Sequence, residues 1–203
     1  ASPTNSIQGS IDAIIVTATS TVWVTNGLYD TGGAEGYPTA GCVVSNRVAI
    51  YKPISVKSWN NDPANTIIKG QAATASDPSF PFGTGAVRCA YLTNGASLIG
   101  FTLTNGYTHA VHNKPNTSLR GGGVHCGLGD FTVDTVISNC WLVGNHAWYQ
   151  GGGACHGSVT IRILYRQRGG RLVTLKLPSA GPNPPPVFVR QDLNFQCAAL
   201  PAY

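Results

Sequence analysis

The segment Gly121-Gly-Gly-Val-His-Cys-Gly127 returns thirty residues later as Gly151-Gly-Gly-Ala-Cys-His-Gly157. A Gly-rich turn that recurs in front of a short apolar strand restricts the chain to a solenoid. In such folds each repeat buries its apolar face against the next. The pattern ends at Gly157, and residues 158–203 read as a different segment.

The charge distribution follows the same division. Of 13 Lys/Arg and 8 Asp/Glu, seven of each fall in residues 1–157. Residues 158–203 hold Arg162, Arg166, Arg168, Arg171, Lys176 and Arg190 against Asp192, so the whole net charge of +5 lies there. A basic chain raises nucleic acid as a partner. Here the neutral body gives that inference no support, and only the tail does. Twenty-five Gly and 10% charged residues suit a turn-rich, extracellular β protein. No run of 18 apolar residues is present, so no transmembrane span is expected. There is no Met, and Ala1-Ser-Pro-Thr is expected to follow a removed leader.

Ile7, Ile11 and Ile14 share one face of a short predicted helix. Strands are predicted at Thr21–Gly27, Arg47–Tyr51, Ile54–Lys57, Thr66–Gly70, Ala86–Leu92, Ser97–Gly106, Thr132–Ile137 and Cys140–Asn145. Residues 71–85 and 107–120 read as loops. Aligning Ala86-Val-Arg-Cys-Ala, Gly123-Val-His-Cys-Gly and Gly153-Ala-Cys-His-Gly predicts three stacked coils. Strand alternation then sets Val87, Cys89 and Tyr91 inside with Val124, Cys126 and Leu128. Arg88, His125 and Cys155 form an expected outward row. Phe101-Thr-Leu-Thr-Asn aligns with Cys140-Trp-Leu-Val-Gly-Asn, which has one extra residue. Cys140 and Leu142 face in on this count, and Thr102 and Trp141 face out.

On Gly121-Gly-Gly, Ser138-Asn-Cys140 and Gly144-Asn-His-Ala147 the chain resembles right-handed parallel β-helix proteins of the pectate-lyase-like superfamily. Its N-terminal helix, followed by the segment from Thr21 to Tyr29, is similar to the cap and first coil of that family. The resemblance covers roughly residues 5–157. It implies an all-β solenoid with a short capping helix, secreted or displayed on a bacterial surface. It implies little about activity, because this fold hosts lyases, hydrolases, esterases, adhesins and inert stalks.

Residues 158–203 depart from the pattern and contain Pro182-Asn-Pro-Pro-Pro186. Tyr165-Arg-Gln-Arg can be written in codons that, shifted by one base, read Thr-Gly-Asn-Ala, the missing repeat motif. Two readings stay open, a coincidence of codon choice or a frameshift near Gly157–Ile161.

The pairs His125-Cys126 and Cys155-His156 have zinc-ligand chemistry. Adjacent strand residues point to opposite faces, so His125 meets Cys155 and Cys126 meets His156, and the four do not converge. No metal is therefore expected, and no acidic cluster supports calcium. The six cysteines permit disulfides, whereas Cys89 and Cys126 also suit a core as small apolar groups.

Glycosidase chemistry requires two carboxylates roughly 5–10 Å apart. Asp130 and Asp134 share strand parity, but four extended residues span about 13 Å, so a bulge or turn must bring them together. Arg120, before the glycines, and His125 are the candidate bases. Arg88 is placed to meet an anionic sugar. Trp141, Trp148 and Tyr149 form an expected aromatic platform for sugar rings, with Tyr107 and His109 one coil earlier. No P-loop, dinucleotide fingerprint or nucleophile elbow is complete. The expectation is an extracellular protein that engages polysaccharide, as a lyase, a hydrolase or a binder. The alternative is a non-catalytic structural or adhesive surface protein, with self-association through solenoid ends.

Overall fold

The computed structural model describes residues 6–17, 20–74, 81–110, 116–127, 135–155 and 159–162. Ser6 opens helix α1 (Ile7–Ala13), its hydroxyl accepting the Gly9 N–H at 3.0 Å. Ile7 and Ile11 are buried, as their spacing predicts. The ammonium of Lys52 closes the other end, donating to the carbonyls of Ile11, Asp12 and Ile14 at 2.8–3.0 Å.

Four coils follow, each of three strands. The first holds β1 (Thr21–Val24), β2 (Gly27–Tyr29) and β3 (Ser45–Ile50). The second holds β4 (Ser55–Ser58), β5 (Thr66–Lys69) and β6 (Val87–Leu92). The third holds β7 (Ser97–Ile99), β8 (Thr102–Thr104) and β9 (Val124–Cys126). The fourth holds β10 (Thr135–Ser138), β11 (Trp141–Val143) and β12 (Ala154–Cys155), and β13 (Val159–Arg162) opens a fifth. First, second and third strands stack separately into parallel sheets A, B and C. This is a right-handed parallel β-helix, and pairing continues in register through Arg162.

The interior is a set of axial columns. Val22, Val56, Leu98 and Ile137 line sheet A, and Tyr29, Ile68, Leu103 and Leu142 line sheet B. Ile50, Leu92 and Cys126 continue one another along sheet C. Each fully buried Leu, Ile or Val contributes about 1.5–3 kcal/mol over an exposed one. A polar ladder marks the A–B corner. Asn139 Nδ2 donates to Asn61 Oδ1 at 3.1 Å across an intervening coil, which places Gly100 there. Gly100 has φ +84°, and a Cβ on it would collide with Ser58 Oγ and Asn61.

The Gly-rich turns have a specific geometry. The N–H groups of Gly121, Gly122, Gly123 and Val124 donate to the carbonyls of Gln150, Gly151, Gly152 and Gly153 at 2.8–3.3 Å. In an ordinary strand only alternate N–H groups face a given neighbour. Four in succession require peptides that all tilt one way, and Gly121 and Gly151 supply positive φ of 66° and 69°. A Cβ on Gly122 would meet the His146 carbonyl oxygen, and one on Gly123 would meet that of Gly153.

Two expectations are corrected. The coil alignment is displaced by three residues: Ala90, Tyr91 and Leu92 pair with Val124, His125 and Cys126. The cause is a break in alternation. Consecutive Cys89 and Ala90 both belong to the core, and both donate N–H groups to consecutive carbonyls, of Gly122 and Gly123. Tyr91 consequently leaves the interior and shares a face with His125. That outer face of sheet C is not open either. Residues 31–44 strap across it, with the Tyr37 ring stacked on Tyr51 at 5.2 Å and on Tyr91 at 5.8 Å. Arg88 is 0% exposed and His125 2%.

The alternation read in sheet B holds. Trp141 pairs with Thr102 and Leu142 with Leu103. Cys140 is buried and Trp141 is exposed. Cys42, Cys89, Cys126, Cys140 and Cys155 are buried free thiols.

Candidate functional site

An aromatic ledge runs along the solenoid at the turns that lead from sheet B to sheet C. Phe82 comes from the second coil, Tyr107 from the third, and His146 and Trp148 from the fourth. Tyr107 lies nearly parallel to the His146 ring, with centroids 4.9 Å apart. Phe82 sits edge-on to Tyr107 at 5.9 Å and to Trp148 at 5.7 Å. The four rings form one connected group across three coils.

Backbone bonds hold these rings in place. The His146 N–H donates to Gly106 O at 2.8 Å, and the Trp148 N–H donates to Thr108 Oγ1 at 2.8 Å. The Tyr149 N–H reaches Leu119 O at 3.0 Å. These bonds fix each turn on the one before it, so the rings are set by the coil repeat. Asn145 anchors the segment. Its Oδ1 accepts the Gly106 N–H at 2.8 Å, and its Nδ2 donates to Leu103 O at 2.8 Å.

Arg120 lies in a parallel bridge with Gln150, and its guanidinium stands over the Tyr149 ring at 5.2 Å. Trp148 and Tyr149 remain 37% and 43% exposed. The ledge therefore presents ring faces together with one cation. An apolar face beside a fixed positive charge suits a sugar ring bearing hydroxyl or acidic groups.

The sequence-predicted residues divide accordingly. Tyr107, Trp148, Tyr149 and Arg120 come together at these turns. Trp141 projects from the outer face of sheet B. His109 is buried, its N–H donating to Ser118 O at 2.9 Å. Asp130 and Asp134 lie outside the described residues. His125 pairs with Cys155 as expected, but it is buried; its ring approaches Tyr91 at 6.3 Å.

Arg88 is a structural clamp. Its Nε donates to Gly121 O at 2.8 Å and its Nη1 to Asn46 Oδ1 at 2.9 Å. Its Nη2 reaches Thr117 O at 2.6 Å and Arg120 O at 2.7 Å. All four acceptors are uncharged. Burial pushes the guanidinium pKa down from its ordinary value, opposed by nearby Cys42. Burial also raises the thiols of Cys89, to about 12, and Cys140, to about 11. These two cysteines are poor nucleophiles. Among the described residues no group of three or more His, Cys, Asp or Glu is arranged to hold a metal.

Sequence reasoning missed Phe82 and His146. Phe82 and His146 lie in turns, where no periodicity announces a shared face. Comparison with protein-family models, curated proteins and solved structures finds no match to this chain.

Proposed function

We propose that this chain is an extracellular β-helix protein of pectate-lyase-like type that engages polysaccharide through the ledge of Phe82, Tyr107, His146, Trp148 and Tyr149. The observation that carries the reading is the connected ring group across three coils. Burying aromatic rings in the core would stabilise the fold more, yet Trp148 and Tyr149 stay exposed on anchored turns. Arg120 over Tyr149 adds a donor fork for hydroxyl or carboxylate oxygens. The fold and the low charge of the body support a secreted or surface location.

A lyase or hydrolase would need carboxylates or a base beside the ledge. Of the carboxylates among the described residues, Asp12 lies in the capping helix, Asp30 and Glu35 in the first coil and Asp62 in the second. Arg120 is the base candidate nearest the aromatic rings. A second reading, a non-catalytic adhesive or structural protein, is favoured by the burial of Arg88, bonded to the carbonyls of Thr117, Arg120 and Gly121, and of His125 beside Tyr91.

Glycan-array binding by the full chain, repeated with Trp148→Ala and Tyr107→Ala, tests the proposal. Retained folding with lost glycan signal is the expected result. Unchanged signal in both variants, or no glycan bound by the parent chain, would overturn the ledge reading. Turnover of a bound polysaccharide, abolished by Arg120→Gln, distinguishes an enzyme from a binder.

A further inference from the structure

The outer face of sheet A carries a second exposed aromatic group, away from the ledge. Trp23 on β1 and Trp59, just past β4, meet edge to face with centroids 5.8 Å apart and an interplanar angle of 74°. They are 55% and 67% exposed. Lys57 stands over the Trp23 ring, its Nζ 5.8 Å from the centroid. The Trp59 N–H is tied to Val24 O at 2.7 Å, so the pair spans two coils on a fixed backbone.

The register extends this patch along the axis. Trp23, Lys57, Ile99, Ser138 and Arg162 occupy successive positions of one row. Beside it Ser55 and Ser97 are paired, with Ser97 Oγ donating to Ser55 Oγ at 2.7 Å. Strands are spaced about 4.8 Å apart, comparable to one sugar unit of an extended glycan. The five strands of sheet A contain Lys57 and Arg162 and no Asp or Glu. The nearest acid in the following turn, Asp62, is engaged locally by the Ala64 N–H at 3.0 Å and Asn65 Nδ2 at 2.8 Å. Among the described residues the strands of this face therefore combine ring surface, hydroxyl groups and the positive charge of Lys57 with no acidic residue.

We infer that the outer face of sheet A is a second glycan-binding surface, specific for a linear acidic polysaccharide lying across the strands. Trp59 and Trp23 take the apolar faces of sugar rings, Lys57 takes a carboxylate, and the serines bond hydroxyls. A cation directly beside the rings selects an acidic chain over a neutral one. A face that sets hydroxyls and a cation beside its rings suits a sugar better than the apolar side of a protein partner.

The test uses the full chain carrying Tyr107→Ala and Trp148→Ala, so that the ledge cannot contribute. Hexuronate oligomers, and the same oligomers with their carboxyl groups reduced to alcohols, are titrated by calorimetry and tryptophan fluorescence. Tighter binding of the acidic oligomer, weakened by added salt, is expected. Trp59→Ala should weaken binding roughly tenfold, and Lys57→Gln should erase the preference for the acidic form. Circular dichroism checks that each variant is folded, and Lys57→Gln preserves the test if Trp59→Ala is not. The inference fails if the chain binds neither oligomer, binds both equally, or binds the acidic one unaffected by either substitution.

Discussion

Arg88 Nε donates to the carbonyl of Gly121 at 2.8 Å, fastening a strand of the second coil to the Gly-rich turn of the third. The same guanidinium holds the carbonyls of Thr117 and Arg120 in the preceding loop. One side chain thus determines where the loop ends and the Gly-Gly-Gly turn begins. Arg120 carries its own guanidinium over Tyr149, so Arg88 also sets the backbone behind the cationic end of the ledge.

Replacing Arg88 should be among the most damaging single changes. Arg88→Met strands four acceptors, two of them fully buried and two partly, and each unsatisfied buried group costs about 1–3 kcal/mol. A loss of at least about 3 kcal/mol in urea unfolding is expected, against the full penalty softened by local rearrangement. Arg88→Lys should recover little, because an ammonium cannot span acceptors arranged around a planar fork. A Lys variant as stable as the parent would show that charge alone suffices.

The legible and illegible parts of this fold separate along physical lines. The Ile7–Ile11 helix face, the buried Cys140 and the exposed Trp141 follow from periodicity, which is local. The likeness of Val87-Arg-Cys to Val124-His-Cys suggested a direct stack, but the irregularity at Cys89–Ala90 displaces the pairing by three residues. Such a break leaves no mark in composition. The burial of Arg88 and His125 is also invisible to alternation, which tells inward from outward but not outward from exposed. Tyr37, far from both in sequence, closes that face. Within the ledge, Trp148 and Tyr149 were readable as turn aromatics. The link through Phe82 required knowing which turns stack.

The Gly-rich turn should tolerate no side chain at its centre. On Gly122 a Cβ would strike the His146 carbonyl oxygen, a backbone atom that cannot swing away. Gly122→Ala should cost more than about 3 kcal/mol or prevent soluble expression. Gly36 has φ +77° but open space around it. Gly36→Ala should therefore cost only about 1–2 kcal/mol of backbone strain. Comparable midpoints for the two variants in urea would contradict the close-stacking account.

Alkaline conditions should unfold the chain through its thiols. Cys89 and Cys140 titrate near 12 and 11 in the folded state, because burial disfavours the thiolate, against an ordinary 9.0. Both pKa values are raised on folding, so the unfolded state loses protons first. This contribution to stability is intact below pH 9 and is lost as pH rises through 11 and then 12. The slope approaches about 1.4 kcal/mol per pH unit per thiol. Urea midpoints at pH 8 and 10.5 measure it, and Cys89→Ala should flatten the difference. Native thiols should also react slowly with a maleimide until denaturant is added.

Asn145 gives a sharper test of how the coils are joined. Its amide accepts from Gly106 and donates to Leu103, and Cys89 Sγ also reaches Oδ1 at 3.4 Å. Asn145→Ala leaves one donor and one acceptor of the third coil buried and unpaired, at a cost of about 2–4 kcal/mol. Asn145→Asp keeps the shape and the acceptor for Gly106 but faces the Leu103 carbonyl with a carboxylate oxygen. None of the three groups that bond the Asn145 amide is a cation, so burial should raise the carboxyl's folded-state pKa above the unfolded value of about 3.9. The penalty is then complete above that raised pKa and diminishes as the acid protonates and its O–H donates to Leu103. Measured relative to the parent, Asn145→Asp should be worse than Asn145→Ala at pH 7 and better near pH 4. A pH-independent ranking of the two variants would show that Asn145 acts by filling space rather than by bridging the coils.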